Sequence, residues 1–345
     1  MANRYGGVRE RGARMTIDAG IVGLGWWGNR LIEAVQGRSD RIRFVHGVAR
    51  DPATKQEIAG RHGLVLSPTL AAMLGDPAVQ AVVLATPHSL HRAEIEAVAA
   101  AGKPVFCEKP LTLTTADAVA AVGAARAAGT LLAVGHNRRF LPALGEMKRL
   151  VLAGELGELL HVEGHFSNEN SSTNFAPGRH DAEESPAGGM TGSGIHVLDH
   201  FVALLGPVRS VHAQLVSRKP APGPLDTISV LLRFENDVTG TLSAVRATPR
   251  YWRTHLFGTT RSVELLQEGT LVVHAVGHAT GQAAPLRQTF PAVDTLRLEL
   301  EAFADAIEGR APYPIGEADM VATVAAFDAI CRSVKSGRTE TVSRA

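Results

Sequence analysis

The sequence predicts an α/β protein in two parts: a doubly wound parallel sheet, then an α+β domain built on a large, mostly antiparallel sheet. Three observations predict it. From residue 17 to about 137, short apolar runs alternate with helix-patterned segments, as expected of strands buried on both faces. Beyond about residue 139, helices thin out and long segments with period-two features take over, the pattern of an antiparallel sheet. The first apolar run also leads straight into Gly23-x-Gly25-x-x-Gly28 and a helix-compatible stretch.

In the first part, strands are expected at residues 17–22, 42–48, 79–85, 104–107 and 131–135, with helices at 27–36, 52–62, 90–101 and 115–128. Gly63, Gly102 and Gly129 stand where a left-handed residue closes a helix, and Thr114 or Thr115 can cap one. Repeated β–α units of this kind wind right-handed. In the second part, residues 140–152 read as a helix ending at Gly154. Strands follow at 159–166, 210–217, 227–234, 238–245, 254–258 and 271–276, with Glu235-Asn236-Asp237 as a hairpin turn. Residues 219–224 read as a loop, and helices at 295–308 and 316–336 close the chain. The expected division is a disordered tail at 1–16, a nucleotide-binding domain at 17–138 and a substrate-binding and oligomerisation domain at 139–345. Met15, two residues before the first strand, is an alternative start.

Composition narrows the function classes. A chain of 345 residues can fill two cores, and 45% hydrophobic with 20% charged residues is ordinary for a soluble globular protein. A net charge of +1 makes no electrostatic case for nucleic acid or a membrane surface. No apolar run approaches a membrane span, and residues 1–16 lack the apolar stretch of a secretory signal. Cys107 and Cys331 are two distant thiols without a framework, which suits a reducing cytoplasm.

The glycine turn carries the first chemistry. Gly23 allows the tight turn, Gly25 removes the side chain that would block a pyrophosphate, and Gly28 lets the helix pack on its strand. Backbone amides and the dipole at the helix start then favour the anion, with Trp26 and Trp27 inside the turn. At the end of the second strand, an acid would bind ribose hydroxyls and favour NAD, whereas a small residue beside an arginine accommodates the 2′-phosphate of NADP. The sequence there is Gly47-Val-Ala-Arg-Asp-Pro52. Ala49 and Arg50 favour NADP; the rival reading makes Asp51 the ribose acid and the cofactor NAD.

Three further segments are Ala85-Thr-Pro-His-Ser-Leu-His91, Cys107-Glu-Lys-Pro110 and Gly188-Gly-Met-Thr-Gly-Ser-Gly-Ile-His-Val-Leu-Asp199. Together with the glycine loop and Gly135-His-Asn-Arg-Arg-Phe140, in this order and spacing, they resemble the Gfo/Idh/MocA oxidoreductases, from about residue 17 to the C-terminus. The resemblance implies a Rossmann domain and an NAD(P)-dependent enzyme acting on a sugar, cyclitol or similar secondary alcohol or ketone. It assigns proton handling at the substrate hydroxyl to Lys109 and His196. A lysine partly desolvated beside an oxidised nicotinamide has a lowered pKa, and imidazole titrates near working pH. The peptide bond between Lys109 and Pro110 is often cis in the family.

The remaining candidates follow from their places. Ala85, Thr86, Pro87, His88, His91 and Glu108 fall at strand ends facing the cofactor crevice, where open α/β sheets bind ligands. Asn137 and Arg138 or Arg139 reach the same edge, Arg139 being the candidate for substrate, with an interdomain salt bridge as its alternative. The polar run 167–174 offers hydroxyl-binding groups or a solvated loop. Where many relatives carry an aspartate four residues before the histidine, this chain has Gly192. Asp199, on the helical face of His196, is the substitute candidate. His196 and His200 have metal-pair spacing without a third ligand, so no metal is expected. A homodimer or homotetramer is expected through an apolar face of the second sheet. Two alternatives remain for function: a non-catalytic nucleotide sensor, which Gly192 favours, and an aromatic cis-dihydrodiol dehydrogenase.

Overall fold

The computed structural model describes residues 15–169, 181–218, 226–277 and 284–343. Most of the expected tail, the loop expected at 219–224 and residues 170–174 of the polar run lie outside the described residues.

The first sheet has six parallel strands in the order β3-β2-β1-β4-β5-β6. They are β1 Ile17–Val22, β2 Ile42–Val48, β3 Val65–Ser67, β4 Ala81–Leu84, β5 Val105–Glu108 and β6 Leu132–Gly135. Between them lie α1 Trp26–Val35, α2 Gln56–His62, α3 Leu70–Leu74, α4 His91–Ala100 and α5 Thr115–Ala127. Every residue of β4, β5 and β6 is buried, as their unbroken apolar runs require. Gly63, Gly102 and Gly129 take positive φ at helix ends, and Thr114 Oγ1 accepts the Asp117 amide at the start of α5. The sequence reading missed β3 and α3, which at three and five residues are too short to show a period. The helix expected at 52–62 begins instead as a 3-10 turn, Pro52–Lys55.

The second sheet has nine strands in the order β14-β13-β12-β11-β7-β10-β9-β8-β15. Its ladders are antiparallel except β7–β10. Its strands are β7 Leu159–Asn168, β8 Val208–Val216, β9 Thr227–Phe234, β10 Thr239–Arg246, β11 Tyr251–Gly258, β12 Arg261–Leu266, β13 Thr270–Ala275, β14 Leu286–Thr289 and β15 Glu340–Thr341. Of these, β12, β14 and β15 were not expected. The remaining helices are α6 Pro142–Leu152, α7 Ile195–Leu205, α8 Thr295–Ile307 and α9 Glu317–Ser336.

One face of this sheet buries Val162, Phe166, Val230, Leu242, Trp252 and Leu256 in the second core, with α6, α7 and α9 packed against it. The other face corrects an expectation. Strand alternation turns Glu163, His165, His212, Gln214, Ser229, Ser243 and Arg253 outward, with Leu231 and Tyr251 exposed singly, so the face is polar rather than a sizeable apolar patch. The helices also do not respect a boundary at 138/139: Leu296, Leu300, Phe303 and Ala304 of α8 return to the first core. Among the described residues, no helix is long and apolar enough to cross a membrane.

Candidate active site

A cleft of about 290 Å³ opens where the carboxyl ends of β4 and β5 meet the second domain. Its walls include Trp26, Trp27, Ala85, Thr86, His88, Glu108 and Lys109 from the first domain, Arg138 from the connecting turn, and Gly192, Ser193 and His196 from the second.

The glycine turn has the geometry its spacing requires. Gly23 has φ +97°, and a Cβ there would lie 2.4 Å from the Ala85 carbonyl. A Cβ on Gly28 would fall 2.0 Å from the Gly23 carbonyl, so the helix approaches as closely as glycine allows. Gly25, the N-cap of α1, has nothing within 4 Å of its Cβ position. That open space, flanked by the first amides of a helix, fits a pyrophosphate. At the end of β2, Arg50 is exposed and the Asp51 carboxylate accepts the Ala53 amide at 3.1 Å, capping the 3-10 turn.

Lys109 stands between a buried strand and a cis Lys109–Pro110 peptide. Its Nζ donates to the Gly192 carbonyl at 2.7 Å, across the cleft. Gly192 lies in the π-helical turn Met190–Gly194 that leads into α7, and a Cβ there would meet nothing within 4 Å. Gly192 thus offers its backbone carbonyl to the lysine and leaves open space where a side chain would stand. His196, in the first turn of α7, is 7% exposed. Burial, with the cations Lys109 and Arg138 nearby, pushes its pKa well below the usual histidine value, so it stands as a neutral imidazole. His136 approaches it edge-on, ring centroids 6.2 Å apart.

A second-domain segment closes the rim. The carboxylate of Glu184 accepts the His88 amide at 2.7 Å and the Ser89 hydroxyl, while His88 Nδ1 donates to the Glu184 carbonyl at 2.9 Å. Burial lowers the His88 pKa to about 4.

Comparison with known proteins decides the family. The model described as "Oxidoreductase family, NAD-binding Rossmann fold" matches residues 17–136, and the "GFO/IDH/MocA C-terminal domain" matches 144–264. The chain belongs to the Gfo/Idh/MocA oxidoreductases. Inositol 2-dehydrogenase 1 of Saccharopolyspora erythraea is 32% identical over 334 residues, 94% of this chain and 95% of that protein. Trans-1,2-dihydrobenzene-1,2-diol dehydrogenase of Mus musculus is 27% identical over 231 residues, 66% of this chain and 68% of that protein. Levoglucosan dehydrogenase, solved with NADH and L-sorbose, shares the fold with a TM-score of 0.85 at 22% identity, covering 96% of this chain and 100% of that one. The chain is thus an NAD(P)-dependent oxidoreductase, and its first domain is the NAD-binding Rossmann domain.

Within this family member, several candidates sit away from the cleft. Asp199 is 1% exposed and holds the Arg139 guanidinium bidentately, at 2.6 and 2.9 Å. Arg139 also donates to Asp319 at 3.0 Å, so the pair ties the connecting turn to α7 and α9, and neither residue lines the cleft. The arginine on the cleft wall is its neighbour Arg138, stacked over Trp252 at 4.8 Å and ion-paired with Glu268. His91 is fully buried, its ring nitrogens facing the carbonyls of Thr86, Pro110 and Leu111. It fastens two loops beneath the cleft. Asn137 donates to Thr295 Oγ1 at 2.8 Å, docking α8, and does not line the cleft. His200, against Trp252, shares no site with His196. Sequence reasoning missed Phe166, Ser185, Ser193 and Arg246 as wall residues; only Asn168, inside the polar run, had a signal.

Proposed function

We propose that this chain transfers hydride between a nicotinamide cofactor, with NADP preferred, and a secondary alcohol or ketone of a cyclitol, sugar or related polyol. The observation that carries the reading is the convergence of Lys109 and His196 on one cleft, joined through Gly192. When bound, the nicotinamide supplies the hydride acceptor or donor at its C4. Lys109 and His196 hold and move the substrate hydroxyl proton. His196 starts neutral, and the Lys109 ammonium is one cause of that. Loss of the lysine proton therefore raises the proton affinity of His196, so the two act as a unit. Trp26 and Trp27 line the opening, where they narrow water access. The NADP preference is supported by Arg50 and by the use of the Asp51 carboxylate in the turn, which leaves Ala49 where a ribose acid would stand.

The likeness to a dihydrodiol dehydrogenase supports a second reading with the same chemistry on a cyclic dihydrodiol. Turnover with a panel of inositols, aldoses and dihydrodiols, each with both cofactors, tests the proposal. The expected result is reduction of NADP by at least one cyclitol or sugar. Tight cofactor binding with no turnover across the panel would instead support a nucleotide sensor.

A further inference from the structure

Two carboxyl groups that the hydroxyl chemistry leaves unused lie behind Lys109. Glu108 ends β5 at 5% exposure, and its Oε2 accepts the Lys109 amide at 3.1 Å. Its Oε1 is buried and meets no donor. Glu299, in the second turn of α8, is fully buried, and neither of its carboxyl oxygens has a donor. A Cβ on Gly135 would lie 3.0 Å from Glu108 Oε1, so β6 makes room for this carboxyl and places no donor there.

Three carboxyl oxygens without donors in one interior region cannot belong to two anions, because burying even one unpaired charge is costly. The groups facing them are few. Lys109 lies on the cleft side, Asp294 at the start of α8, and the Trp27 indole turns toward Glu108 without closing a hydrogen bond. The Tyr313 hydroxyl is committed to the Val134 carbonyl at 2.9 Å.

We infer that Glu108 and Glu299 form a proton-sharing carboxyl pair that positions the charge on Lys109, with Glu299 the neutral acid and Glu108 carrying the single negative charge. The inference rests on the reading of Lys109 as the proton-handling lysine. Electrostatics support the assignment. Burial, then the Glu108 charge, pushes Glu299 well above the usual carboxylate range, and burial raises Glu108 to about 7. An anion at Glu108 favours the ammonium form of Lys109; once Glu108 takes up a proton, the lysine releases its own more readily.

Difference infrared spectra of the full chain against Glu299→Gln, at neutral pH, test the pair without any turnover. A protonated-carboxyl C=O band present in the unmodified protein and lost in Glu299→Gln is expected; its absence would overturn the inference. The pH profile of kcat/KM for alcohol oxidation tests the link to Lys109. Glu108→Gln and Glu299→Leu should move the acidic limb to lower pH by about one unit. Glu299→Gln, which keeps a neutral donor, should leave that limb in place. An acidic limb unmoved in both Glu108→Gln and Glu299→Leu would overturn the inference, as would an equal shift in Glu299→Gln. Failure of the parent reading looks different: near-normal kcat in Lys109→Ala with the infrared band intact.

Discussion

At the scale of single residues, the three glycines of the turn do different work, and substitution separates them. Gly28→Ala would drive a methyl into the Gly23 carbonyl, so it should destabilise the fold by about 1–3 kcal/mol. Gly25→Ala meets open space and should keep the unmodified melting temperature, yet lose cofactor affinity because its methyl points where phosphates would approach. Melting curves with and without cofactor check both; a Gly25→Ala variant that still binds cofactor normally would move the pyrophosphate elsewhere. The places of Lys109 and His196 on one cleft wall were legible because their motifs fix both residue type and strand or helix end. Arg139 takes the interdomain salt bridge that was its alternative, with Asp199 as a partner, for physical reasons. Consecutive residues of a 3-10 turn point different ways, so Arg138 takes the cleft wall and Arg139 the interior. The helical-face argument for Asp199 assumes that one face is the ligand's, but nearly all of α7 is buried.

At the scale of elements, the proposed NADP preference rests on the end of β2. The 2′-phosphate of NADP should pair with the Arg50 guanidinium by charge-assisted hydrogen bonds worth about 1.5–3 kcal/mol. Arg50→Ala should then weaken NADP binding roughly ten- to a hundredfold and leave NAD nearly unchanged. Ala49→Asp should shift preference toward NAD by supplying a ribose acceptor and repelling the phosphate. Calorimetry on the unmodified protein is the check: tighter binding of NAD than NADP would make Asp51 the ribose acid, despite its role as a turn cap. The parallel strands were readable because burial on both faces leaves unbroken apolar runs. Strands such as β14, four exposed residues, and β15, two residues long, carry no such signal, since only the neighbouring ladder makes them strands.

At the scale of the whole molecule, burial of titratable groups sets the response to acid. His88, His91, His136, His196 and His200 have folded pKa values lowered by burial, to about 4 for His88 and His136 and about 3 for His200. Below about pH 6.5 the unfolded chain binds protons that these native imidazoles refuse, so stability falls as pH falls. Glu108 and Glu299 act oppositely, since their raised values let the native state hold protons the unfolded chain has lost. The lowered histidines outnumber these two carboxyls, so urea stability should drop as pH falls from about 6.5 to about 4.5. A flat or rising profile over that window would contradict the assignment of neutral buried histidines. Self-association through the outer sheet face was the least legible expectation, because strand alternation fixes which residues face out but not what covers them. The proposed role of Lys109 in handling the substrate proton is tested most directly by kcat for Lys109→Ala beside the cofactor Kd. A kcat lower by on the order of 10²–10⁴ with cofactor affinity nearly unchanged is expected; a near-normal kcat would rule that role out.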